Sequence, residues 1–132
     1  MFDTNKMEIN AAFYELFESV FGEDFFSILV SMRPTPRISH LRSKKLEELT
    51  SEEQEEVLKF NASVASKMNK YSPRIAYIGT KLYNKQYGGS YQDYLAFLAS
   101  CDASAFLNQE TIKAIWEKIS LDQAVPKSAK NA

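Results

Sequence analysis

Apolar residues recur along this chain at intervals of three and four, and glycines and prolines fall between the recurring blocks. That alternation predicts amphipathic helices separated by breakers. The first block is "AAFYELFESVF", in which Phe13, Phe17, Val20 and Phe21 share one face and Gly22 marks the end. "EDFFSILVSM" follows, with its acids at the start, where a helix dipole favours negative charge. It is apolar nearly all round, which predicts a buried helix, although Ile28, Leu29 and Val30 suit a buried strand as well. "RPTPRISH" then breaks the pattern, because two prolines so close together do not continue a helix; an extended or mobile loop is expected. "LRSKKLEEL" reads as a short helix with Leu41, Leu46 and Leu49 on its apolar side.

Cap signals organise the rest. "TSEE" at 50–53 is a capping box, and the helix after it is expected to run to about Lys70. Val57, Val64 and Met68 form its face, Phe60 and Ala65 flank it, and Glu55 pairs with Lys59 one turn on. Ser72-Pro73 reads as a new helix start, with serine as cap and proline in the first turn. Ile75, Ile78 and Leu82 line that helix, and Gly79 invites the close approach of another one. Gly88-Gly89 ends it, and Ser90 with Asp93 restarts it ahead of Tyr94, Leu95, Phe97 and Leu98. Asn108 caps a last helix bearing Ile112, Ile115, Trp116 and Ile119. Beyond Leu121 the periodicity stops. The expected fold is all-α: a single compact domain over 1–121 with five to seven helices, at most a minor N-terminal hairpin, and a disordered, flexible tail over 122–132.

At 132 residues the chain is long enough to bury a core without metals or disulfides. A net charge of −1 supplies no general field for nucleic acid or anionic lipid. No run approaches the roughly 18 apolar residues of a membrane span. The polar start "MFDTNKMEIN" does not read as a signal peptide, so a cytosolic protein is expected.

Candidate chemistry is sparse. His40 is the only histidine and Cys101 the only cysteine. Neither has a ligand or base at a useful spacing, so an exposed loop histidine and a buried or half-buried structural thiol are expected. The acids of "EELTSEEQEE" spread around a helix start among compensating lysines, and "YGGSY" lacks the strand and lysine of a phosphate loop. "RPTPRISHLRSKK" is locally basic, but six glutamates follow it at once. No catalytic residue, metal, cofactor, small molecule, membrane or nucleic acid is expected.

The aromatic content changes the picture. Nine Phe, seven Tyr and one Trp exceed what a few helix stripes consume. Tyr77, Tyr83, Tyr87 and Tyr91 fall partly off those stripes, which suits protein interfaces. Phe26 and Leu29, on the all-round apolar second helix, join them as candidate partner contacts. That helix also predicts self-association, since a short chain has limited means of covering it.

The order "RIAYIGTKLYNKQ", a glycine break, "SYQDYLAFLASCD" and then "ETIKAIWEKI" resembles the tail assembly chaperones of long-tailed phages and prophages of Gram-positive bacteria. The resemblance spans roughly residues 72–127 and rests on packing residues. The N-terminal stretch departs from it: many relatives open with a hairpin bearing a turn glycine, and "MEINAAFYELFESVFGEDFF" has no such turn. The resemblance implies a small non-enzymatic helical protein of the host cytoplasm, absent from the mature virion. Such proteins coat the tape measure protein, whose exposed apolar surface otherwise aggregates. Members of the family commonly make a longer product by a minus-one ribosomal slip, and Ala129-Lys130-Asn131 matches the in-frame reading of the heptamer A AAA AAC. The alternative function is a small helical adaptor or inhibitor from a mobile element, binding one host protein at fixed stoichiometry.

Overall fold

The computed structural model describes residues 2–102 and 104–119. Among these the fold is all-α, with six α-helices and no strand. They are α1 (Ala11–Phe21), α2 (Phe25–Ser31), α3 (Pro36–Arg42), α4 (Ser51–Tyr83), α5 (Tyr91–Ser100) and α6 over 109–119. The tail expected over 122–132 lies outside the described residues. The chain divides by its internal contacts into two compact units. One is made from Met1–Phe25 with Met68–Ala132, the other from Phe26–Lys67.

The discontinuous unit opens with a 3-10 turn, Thr4–Lys6, begun by Asp3, whose carboxylate accepts from the Asn5 amide (3.0 Å). This turn stands where at most a minor hairpin was expected, and no strand forms among the described residues. Asn10 caps α1 by accepting from the Ala12 amide (3.0 Å). Phe13, Phe17 and Val20 are buried as their spacing predicts, and Phe21 is half-buried. Gly22 closes α1 at φ 69°, the left-handed region glycine occupies without strain, its amide donating to Glu18 O (2.7 Å). Phe25 meets Phe13 and Phe17 at ring-centroid distances of 5.1 and 5.0 Å. Ile75, Ile78 and Leu82 of α4 are buried in the same unit, as are Ile112, Ile115, Trp116 and Ile119 of α6. Asn108 caps α6 by accepting from the Glu110 amide (2.8 Å), as its sequence signal predicts.

The expected break at Ser72-Pro73 does not occur. α4 is one helix of 33 residues with Pro73 inside it. Proline in a helix interior costs about 3 kcal/mol, through its missing N–H and its ring. Contacts from distant residues offset that cost here. Trp116 Nε1 donates to Ser72 Oγ (2.8 Å) and to Met68 O (3.2 Å), and Ser72 Oγ itself donates to Met68 O. Glu23 accepts from Tyr71 Oη (2.6 Å) and from Arg74 Nη1 (2.5 Å).

Gly79 does receive a close approach, but from the N-terminal segment rather than a helix. Glu8 N donates to Gly79 O (3.0 Å) and Met7 covers the glycine face. α4 stops at Tyr83, ahead of the glycines, and Lys85 turns the chain at φ 57°. Ser90 caps α5 by accepting from the Asp93 amide (3.2 Å).

In the unit Phe26–Lys67, the capping box forms as spelled: Glu53 N donates to Thr50 Oγ1 (3.1 Å) and Thr50 N to Glu53 Oε1 (2.9 Å). The proline-rich stretch is not a loop. Thr35 Oγ1 accepts from Ile38 N (3.1 Å), Pro36 takes the first turn, and α3 buries Ile38 and Leu41. Proline's fixed φ suits a first turn and its missing N–H has no partner there to lose. Leu46 lies in a 3-10 turn, Leu46–Glu48, and is exposed, while Leu49 is buried. α2 is not buried all round. Phe25 and Ile28 are buried, but Phe26 is 55% and Val30 44% exposed. A unit this small covers one side of a two-turn helix and leaves the other outside. Val57, Phe60 and Val64 are half-buried along α4, and Ala65 is exposed. Arg37 bonds Glu56 (3.0 Å), Gln54 Nε2 donates to Leu46 O (3.0 Å), and Lys67 Nζ donates to Ser31 Oγ (3.0 Å). Lys59 pairs with Glu55 at 3.3 Å, as its spacing predicts.

Candidate interaction surface

The tyrosines singled out in the sequence separate into two groups. Tyr77 is only 4% exposed and has no surface to offer a partner. Its ring packs on Tyr94 and Phe97 of α5, both at 5.5 Å, and burial pushes its hydroxyl pKa up. It belongs to the core because α5 covers a side of α4 that the Ile75–Ile78–Leu82 stripe does not mark. Tyr83, Tyr87 and Tyr91 are exposed, Tyr87 at 70%. Tyr91 is anchored edge-on to Phe21 at 6.3 Å, and Leu95, one turn along α5, is exposed beside it in register.

Tyr87 lies against an open cleft of about 290 Å³, with Ala12, Glu15, Leu16 and Ser19 of α1 and Leu82 of α4 as its other walls. The sequence reading missed this cleft. Its signal is present, because Ala12, Leu16 and Ser19 repeat at four and three residues as a second stripe beside the phenylalanines. Its lining is mainly apolar, with the Glu15 carboxylate and the Ser19 and Tyr87 hydroxyls as its polar side-chain groups. An apolar side chain suits the chemistry of such a cleft. Phe26 and Leu29 stand in the other unit, Phe26 exposed and Leu29 half-buried.

Other candidate groups are placed as follows. His40 is exposed, on α3 rather than in a loop. Cys101 is half-buried, its thiol donating to Phe97 O (3.3 Å). Among the described residues no group of His, Cys, Asp or Glu is arranged to hold a metal, and no helix is long and apolar enough to cross a membrane.

Glu23, Tyr71 and Arg74 form an electrostatic cluster, with the Arg74 guanidinium 5.0 Å from the Phe21 ring centre. Burial raises the Glu23 carboxyl. The Tyr71 hydrogen bond and the Arg74 charge outweigh it and hold the group below its ordinary 4.5. The Tyr71 hydroxyl is pushed up to about 12, by burial and then by Glu23. A depressed carboxyl stabilises the fold above its unfolded value, and that stability is lost as pH falls through the folded value. Urea unfolding of the native chain and Glu23→Gln from pH 7 to pH 3 is expected to show their stability gap narrowing below pH 4.5. A gap constant across that range would rule out the linkage.

No protein-family model, curated protein or solved structure matches this chain.

Proposed function

We propose that the chain is a tail assembly chaperone of a long-tailed phage or prophage. It binds the tape measure protein in the host cytoplasm, keeps it soluble while the tail is built, leaves before the virion matures, and catalyses no reaction. The observation that carries this reading is the order of packing segments over 72–119, "RIAYIGTKLYNKQ", "SYQDYLAFLASCD" and "ETIKAIWEKI". Support comes from the exposed Tyr83, Tyr87 and Tyr91, and from the apolar cleft beside Tyr87. Aromatic residues at the mouth of a small apolar pocket suit a client helix that must be held and later released. Copies self-associate through the exposed Phe26 and Val30 of α2, which provides the many-fold coat a long client needs.

The test is co-expression with the tape measure protein. Native chain is expected to keep that protein in the soluble fraction, in complexes holding many copies of the chaperone. Tyr83→Glu with Tyr87→Glu is expected to weaken binding about tenfold, with the circular dichroism spectrum unchanged. A client that stays soluble with both substitutions places the contact elsewhere. Failure of the native chain to solubilise any tape measure protein, with one-to-one capture of a folded host protein instead, supports the adaptor or inhibitor reading.

A further inference from the structure

We propose that α4 carries a built-in break at Ser72-Pro73 that two clamps, Glu23 and Trp116, hold shut. The local sequence asks for a break. Serine is a preferred cap, and proline is at ease in a first turn but not in a helix interior. Yet the helix runs through both residues. What holds it shut comes from far away in the chain. The Glu23 carboxylate straddles the proline, taking Tyr71 before it and Arg74 after it. The Trp116 indole takes Ser72 Oγ and Met68 O.

The Ser72 hydroxyl is the moving part. In the closed helix it donates to Met68 O, and its lone pair receives the indole N–H. In an open joint the same oxygen would turn to accept from Ile75 N, as an N-cap does. It cannot serve both arrangements, so the two states exclude each other. Residues 75–79 and Leu82 are buried in the closed helix, so an opening that leaves their packing in place is confined to the turn around the proline. Ser72 is fully buried and Trp116 nearly so, which makes the indole an internal bolt. Glu23, with its side chain 35% exposed, is the clamp that solvent or a partner reaches.

Amide hydrogen exchange on the full chain tests this, read residue by residue by NMR. Trp116→Phe keeps a ring in place and removes the N–H; Glu23→Gln removes the charge of the other clamp. Each is expected to speed exchange about tenfold at Ser72 and Arg74, with Ile75, whose amide has a partner in either state, and Ile78 and Leu82 unchanged. Adding Pro73→Ala removes the break and is expected to return the two amides to their native rates. Unchanged rates at both amides in both variants overturn the proposal. So does an equal acceleration along the whole of α4, which is the mark of a clamp residue that only packs. Where Trp116→Phe does not fold, Glu23→Gln and its Pro73→Ala double variant decide between the same outcomes.

Discussion

Phe17→Ala is expected to lower the unfolding free energy by about 3–5 kcal/mol, the range for deleting a buried aromatic ring. Phe17 has no exposed surface. Its ring lies 5.0 Å from Phe21, 5.0 Å from Phe25, 5.9 Å from Phe13 and 6.4 Å from Tyr71. These partners come from α1, α2 and α4, so the cavity left by alanine is walled by elements that cannot all close on it. Total stabilities of about 5–15 kcal/mol are usual for domains, so the variant would stand near its threshold. Urea unfolding followed by circular dichroism measures the effect. Leu58→Ala, at an exposed position, is the control and is expected to change stability by less than about 0.5 kcal/mol. A Phe17→Ala loss no larger than that of the control would show that the aromatic cluster is not the core of its unit.

Gly79→Val should be damaging to a lesser degree, for the opposite reason: too much volume rather than too little. A Cβ at this position meets Met7 carbons at 3.0, 3.1 and 3.2 Å. The 3.1 Å contact is to Met7 Cβ, close to the backbone, so a rotamer change does not relieve it. Met7 is buried, and the neighbouring Glu8 amide is bonded to Gly79 O. Replacing glycine inside a helix gains up to about 1 kcal/mol in propensity, whereas overpacking costs about 1–3 kcal/mol. Alanine would come close to balancing these. Valine adds two further methyls and stiffens χ1, so a net loss of about 2 kcal/mol is expected, with the N-terminal segment lifting first. Thermal melting gives the loss, and exchange at the Glu8 amide shows where it falls. A valine variant with native melting temperature and a protected Glu8 amide would sink the prediction.

The features legible in the sequence are those whose cause is local. Thr50 with Glu53, Ser90 with Asp93, and Asn108 each satisfy a helix end within three residues, and all three start helices as their spelling predicts. The two proline sites show where local reading stops. Thr35-Pro36 and Ser72-Pro73 spell the same instruction, a hydroxyl cap followed by a first-turn proline. The first starts α3; the second lies inside α4. The difference is made by Glu23 and Trp116, which stand more than forty positions from the serine and enter no window of neighbouring residues. Tyr77 illustrates the same limit, because the α5 rings that bury it follow a glycine-rich connection whose path the sequence does not set. α2 errs in the other direction. Its composition is apolar enough for burial, but burial needs neighbours on every side, and composition does not count neighbours.

One unit is assembled from two stretches, Met1–Phe25 and Met68–Ala132. During synthesis α1 is therefore made long before the residues that cover it. At about 5–20 residues per second, roughly 5–20 s pass between the emergence of Phe25 and that of Ile119. Phe13, Phe17 and Phe25 have no complete α4 to pack against for roughly the first half of that interval, and no complete α6 until its end, while Phe26–Lys67 can form its own contacts earlier. A protein proposed to shield the apolar surface of another thus begins its life with an unshielded surface of its own, and nascent-chain holding factors are the expected first partners of α1.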